Sequence, residues 1–225
     1  MVKVQKNDFV EIEFVGKTSD GEVFDTNIKE EADKAGLQIK EVKPYVLCVG
    51  KEMILPGLDE DLEGKEIGGK FSVEILPEKG FGKRNPQLVR MFPESEFRKQ
   101  NLRPERGMSL NLGGQLVRVV SVSGGRVLLD FNNPLAGKNL IYDYKVNKKV
   151  EELGEKISAL QDVFFRKRFD FEVDEKKKEL KLKIPAGFEK VVKIFEEQFK
   201  DILGLGVLTE VVADKKETSQ TSPSS

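Results

Sequence analysis

The chain reads as an α+β protein with more than one domain, on three observations. Through the first 150 residues, runs of alternating apolar and polar residues are cut by Gly, Pro and Asn, the mark of short half-buried strands. The charge changes character near residue 84. Residues 1–83 hold 12 lysines, no arginine and 18 acids, a balance of −6; residues 84–130 hold seven of the nine arginines, one lysine and four acids, a balance of +4. After residue 150 the pattern becomes helix, hairpin, helix, strand. At 225 residues there is room for two or more such units.

In order along the chain, DFVEIEFV at residues 8–15 sets Val10, Ile12 and Phe14 on one face against Glu11 and Glu13, a strand. Ser19-Asp20-Gly21 is a turn, and Glu22 to Thr26 forms a second short strand. Residues 29–43 are charged and weakly patterned, which predicts a loop with about one helical turn. Tyr45, Leu47 and Val49 alternate, with lone Cys48 on the opposite face and expected to be buried. Pro56-Gly57 opens a short helix carrying Leu58 and Leu62 one turn apart; Phe71, Val73 and Ile75 form the next strand. Beyond Arg84, prolines and paired glycines chop the chain, and residues 108–112, 116–122 and 127–131 read as strands of a small antiparallel sheet. Leu140, Tyr142, Tyr144 and Val146 alternate once more. Leu153, Ile157, Leu160 and Phe164 predict a helix over 151–168, residues 169–184 a hairpin, residues 187–203 a second amphipathic helix, and residues 207–212 a last strand. The polar tail, residues 214–225, is expected to be disordered.

Composition excludes several chemistries. There is no histidine, so no Ser-His-Asp or Cys-His unit can form. A metal site would need carboxylates and one thiol, so no metal and no cofactor is expected. One cysteine rules out an intrachain disulfide and suits a reducing, cytoplasmic setting. No apolar run is long enough to span a membrane, and a net charge of −1 argues against general nucleic-acid binding.

Three stretches in order, VEIEFVGKTSDGEVFDTN, PYVLCVGKEMILPGLDEDLEGKEIGGKFSVEILPEKGFG and PLAGKNLIYDYKV, resemble the FK506-binding-protein peptidyl-prolyl isomerases. The resemblance is closer to the SlyD-type and long archaeal branch, because residues 84–130 are similar to that branch's insert-in-flap domain and follow the Phe81-Gly82 pair where the branch places it. It implies an antiparallel sheet wrapped on a short helix, discontinuous over 1–83 and 131–150. Residues 84–130 would be an inserted β-rich chaperone domain, and residues 151–213 a C-terminal α/β domain whose phenylalanines favour a homodimer. The implied partners are unfolded or proline-containing polypeptides, with a macrolide as a further ligand of the family pocket. The metal-binding tail of bacterial SlyD proteins does not carry over, because residues 214–225 have neither His nor Cys.

The implied pocket is Phe14, Phe24, Asp25, Ile54, Leu55, Leu58, Phe81 and Tyr142, with Leu58 as its floor and the Ile54-Leu55 backbone facing the peptide. Tyr45 and Asn133, with Leu88, Met91 and Phe92 of the insert, are the implied substrate contacts. Each apolar residue is equally intelligible as core: Phe14 and Phe71 both alternate inward, and the match to the family separates them. Asp25 reads either as a strand-end carboxylate held by backbone N–H groups or as a polar group on the pocket edge. Many relatives carry tyrosine where this chain has Phe14 and Phe81, and histidine where it has Asn133; Tyr142 has a hydroxyl where phenylalanine is common. Three activities follow as alternatives: a prolyl isomerase assisting folding, a holdase with a relict pocket, and an adaptor built on the C-terminal domain.

Overall fold

The computed structural model describes residues 2–38 and 43–212; the expected disordered tail lies outside the described residues. Twelve strands among these form three sheets. The first is built on β1 (Phe9–Thr18), which pairs antiparallel with β2 (Val23–Thr26) and β3 (Tyr45–Cys48) along one edge and with β9 (Leu140–Lys149) along the other. β9 in turn pairs with β4 (Lys70–Ile75). The register sets Gly16 opposite Tyr142 and Phe14 opposite Tyr144. Because side chains alternate across a strand, Ile12, Phe14, Tyr142, Tyr144 and Val146 all enter one core.

Helix α2 (Pro56–Leu62) starts on a proline at its first turn and buries Leu58, Asp59 and Leu62. It lies close against β4: a Cβ on Gly57 would come within 2.6 Å of Ile75 Cγ2, so only glycine allows this approach. Helix α1 (Lys29–Ala35) occupies part of the span read as a loop, and residues 39–42 of that span lie outside the described residues. Its one buried side chain is Ala32, too little apolar periodicity to read from sequence.

The second sheet has the order β5–β8–β7–β6: β5 is Val89–Pro93, β6 Ser109–Leu112, β7 Gln115–Ser123 and β8 Arg126–Asp130. Phe97, Leu110, Val117, Val119, Val127 and Leu129 make a core separate from the main one. β5 and the short helix α3 (Glu94–Arg98) were not expected. Pro93 ends β5 at the sheet edge, where its missing N–H does no harm, and its fixed φ leads into α3.

Beyond β9, α4 (Leu153–Phe165), β10 (Phe171–Asp174), β11 (Glu179–Pro185), α5 (Glu189–Leu203) and β12 (Gly206–Val212) follow the expected order. β10 pairs antiparallel with β11, and α5 crosses over to bring β12 parallel to β11. Phe165 is ringed by Phe169, Phe188, Phe195 and Phe199, with centroids 5.6–6.0 Å away. This cluster is continuous with the core of the first sheet. No helix among the described residues is long and apolar enough to cross a membrane.

Candidate active site

Five aromatic rings from five places in the chain form a continuous row. Tyr45 on β3 meets Phe14 on β1 edge-on at 6.3 Å; Phe14 meets Tyr142 on β9 at 5.7 Å; Tyr142 meets Phe24 on β2 at 5.9 Å; Phe24 meets Phe81, beyond β4, at 6.0 Å. Aromatic faces are apolar and weakly negative, so the row makes a greasy wall that offers little to a strong dipole. Gly16 lets the row close over the sheet. A Cβ there would lie 2.9 Å from Tyr142 Cζ and 3.1 Å from Phe24 Cζ. Phe71, the other inward phenylalanine, sits apart from the row, tilted against Tyr144 at 5.6 Å under Lys65.

Leu58 is fully buried, and Ile54 and Leu55 are half-buried against the same core. The Leu55 carbonyl is occupied by the N–H groups of Leu58 and Asp59. Among the described residues, the N–H groups of Ile54 and Leu55 and the Ile54 carbonyl have no backbone partner, so an extended peptide could pair there. The preceding loop is held from two sides: the Tyr45 hydroxyl donates to the Met53 carbonyl at 2.7 Å, and the buried Asp59 carboxylate accepts from Gly50 N and Glu52 N, both at 2.8 Å. Glu52 is left-handed at φ 52°, strain that the Asp59 bond helps to hold.

Polar groups are few. Asp25 is exposed on one side, yet desolvation raises its pKa against a backbone hydrogen bond from Thr26. Its charge adds to burial in pushing Tyr45 up to about 12 and in raising Tyr142. The Tyr45 hydroxyl is spent on Met53. Tyr142 is only 1% exposed, and its hydroxyl makes no hydrogen bond among the described residues. Cys48 is buried on a strand covered on both faces, and burial pushes its thiol up to about 11, so it is inert at neutral pH.

A sequence profile for FKBP-type peptidyl-prolyl cis-trans isomerases matches residues 2–98, and one described as FKBP26, IF domain, matches residues 90–135. The chain is 34% identical over 145 residues to the short-type peptidyl-prolyl cis-trans isomerase of Methanocaldococcus jannaschii, covering 64% of this chain and 92% of that one. It belongs to the FKBP-type peptidyl-prolyl cis-trans isomerases. The FKBP-type isomerase SlyD of Haemophilus influenzae is 30% identical over 149 residues, covering 64% of this chain and 72% of its own. The 16 kDa FKBP-type isomerase of Escherichia coli is 28% identical, with 64% and 91% covered.

In this isomerase, the remaining sequence-derived residues lie at the insert and its junction. Met91 is 58% exposed on edge strand β5, Leu88 is half-buried, and Phe92 turns into the insert core against Phe131 at 5.9 Å. Asn133 is exposed, and its side chain accepts from Leu135 N at 2.8 Å, which closes the turn at 133–136. Sequence reading missed Asn132. Its buried amide accepts from Asn85 N at 2.8 Å and donates to Asn85 O at 3.0 Å and to Asp130 at 2.7 Å, joining the segments that enter and leave the insert. It missed Gly16 and Asp59 as well. A glycine inside a strand pattern was the available signal for the first; an acid inside the apolar face of α2 was the signal for the second.

Proposed function

We propose that the isomerase turns over X-Pro bonds in the trough formed by Tyr45, Phe14, Tyr142, Phe24 and Phe81 over the Leu58 floor. The observation that carries this reading is the unbroken ring row itself. Rotation about an X-Pro amide must cross roughly 18–20 kcal/mol, because the twisted bond loses its resonance. No bond breaks, so no nucleophile, base or metal has to act. The planar amide is the more polarised form and loses more on leaving water, so an apolar trough favours the twisted one. About 4 kcal/mol of such preference gives roughly a thousandfold acceleration.

In this reading the Ile54 and Leu55 N–H groups hold the peptide backbone, and the Tyr142 hydroxyl donates to a substrate carbonyl, the role Phe81 lacks the group to fill. Asp25 orients the trough's polar edge. The catalytic unit comprises residues 1–83 and 131–150, and residues 84–130 form a separate lobe that holds unfolded chains beside the trough through Met91, Leu88 and the β5 edge. The separate insert core supports that division. The test compares a short proline peptide with a refolding protein limited by proline isomerisation. Replacing residues 84–130 by a short Gly-Ser loop should leave peptide turnover within about twofold and cut catalysis of protein refolding tenfold or more. Peptide turnover at background in the intact chain, with aggregation suppression retained, would instead make the protein a holdase.

A further inference from the structure

The isomerase reading leaves the concentration of arginine in the insert without a use. Three of those seven arginines, Arg84, Arg106 and Arg118, together with Lys138, line a cleft of about 800 Å³ between the insert and the 132–138 turn. One acid faces them, Asp130. It is already ion-paired with Arg84, and it accepts from the Asn132 backbone and side-chain amides. Although burial acts to raise its pKa, those bonds and the Arg84 charge hold it below the ordinary carboxylate range. Lys138 also feels the more distant Asp20. Arg106 and Arg118 are exposed and have no carboxylate partner among the described residues. The cleft is therefore cationic with its single acid already satisfied.

It also adjoins the trough. Gly137, on the cleft wall, donates its N–H to the Gly82 carbonyl at 2.8 Å, and Gly82 follows Phe81, the last ring of the row. Arg84 is three residues beyond Phe81, at most about 11 Å of extended chain. We propose that the cleft takes acidic side chains of the client polypeptide a few residues from the proline, making the isomerase selective for acidic flanks. This rests on the trough being the proline site. The wall has no aromatic on which bases could stack, but it includes Leu116, 59% exposed, and backbone of β7 that suit a polypeptide.

The test uses the full chain and two proline peptides, identical except for Glu or Gln at the third to fifth positions on either side of the proline. The Glu peptide should have a kcat/KM about three- to tenfold above the Gln peptide, the size two partly exposed ion pairs provide. The ratio should fall towards one at about 1 M salt, and also in Arg106→Gln/Arg118→Gln, whose folding is checked by its melting curve. Should that pair fail to fold, Arg118→Glu alone must shift the preference towards a Lys peptide. Equal turnover of both peptides by the intact chain, or a ratio that survives the arginine changes, overturns the proposal. So does a single-stranded RNA oligonucleotide of equal charge that displaces the labelled Glu peptide as well as unlabelled Glu peptide does. Tighter binding of the Glu peptide with no turnover of either would sink the isomerase reading of the trough and leave the cleft standing.

Discussion

Asp25 and Tyr142 bring polar groups to the aromatic row, and Asp25 is costly to the free protein. Desolvation raises the Asp25 pKa, so the folded state keeps that proton to higher pH than the unfolded chain does. Below the ordinary value of 3.8 both states are protonated and there is no penalty; above the raised value the folded carboxylate is charged and poorly solvated. Stability is therefore lost as pH rises through that window. Asp25→Asn should melt higher than the parent at pH 7, with the gap closing by about pH 3, while kcat/KM falls roughly tenfold or more, the worth of a charge-assisted contact. Calorimetry across pH and peptide kinetics check both halves; a lower melting temperature at pH 7 would mark Asp25 as a structural cap. The Tyr142 ring is buried, but its hydroxyl, unpaired among the described residues, reaches solvent. Tyr142→Phe should leave stability nearly unchanged and lower kcat/KM by about two- to tenfold, the worth of one neutral hydrogen bond. Unchanged peptide kinetics would dismiss the hydroxyl as a donor.

At the scale of elements, the trough depends on how β1, α2 and the 50–55 loop are held. The strands were legible because one face of each is apolar, and residues 8–15 show that pattern directly. The loop was not legible: its shape comes from a carboxylate on the next helix and a hydroxyl on the preceding strand, contacts that no local pattern encodes. Nor were the Asn132 contacts with Asn85, which depend on the insert returning to its starting point. The ring row was reached only through likeness to a family, since Phe14 and Phe71 have the same periodicity and different neighbours. Asp59→Ala should strand two loop N–H groups, at about 1–3 kcal/mol each where they stay dry. Because the loop presents Ile54 and Leu55, KM for a proline peptide should rise more than kcat falls. Asp59→Asn should rescue only partly, since its amide group faces an N–H that a carboxylate oxygen accepted. A variant with normal KM would uncouple the loop from peptide binding.

At the scale of the whole molecule, the two cores predict how the chain melts. The insert core is small and self-contained, whereas the C-terminal phenylalanine cluster runs without a break into the core beneath the first sheet. α4 lies against β3, Lys156 covers the Phe9 ring at 5.6 Å, and Lys51 pairs with Asp201 at 2.6 Å. Exposed pairs of that kind contribute little, so the shared apolar packing must join these parts. Cooperative units follow contiguous cores, which makes the expected units the insert on one side and everything else on the other. Leu129→Ala in the insert and Leu160→Ala on α4 each delete a fully buried side chain, at about 2–5 kcal/mol. Leu129→Ala should lower only a minor transition and spare the temperature at which peptide turnover is lost. Leu160→Ala, on a helix outside the ring row, should lower that temperature by about 5 °C or more. Calorimetry paired with turnover after brief heating distinguishes the outcomes. One transition moved equally by both changes would mean the insert is welded to the first sheet through Asn132 and Arg84. Turnover insensitive to Leu160→Ala would mean the C-terminal segment is an appendage rather than part of the catalytic core.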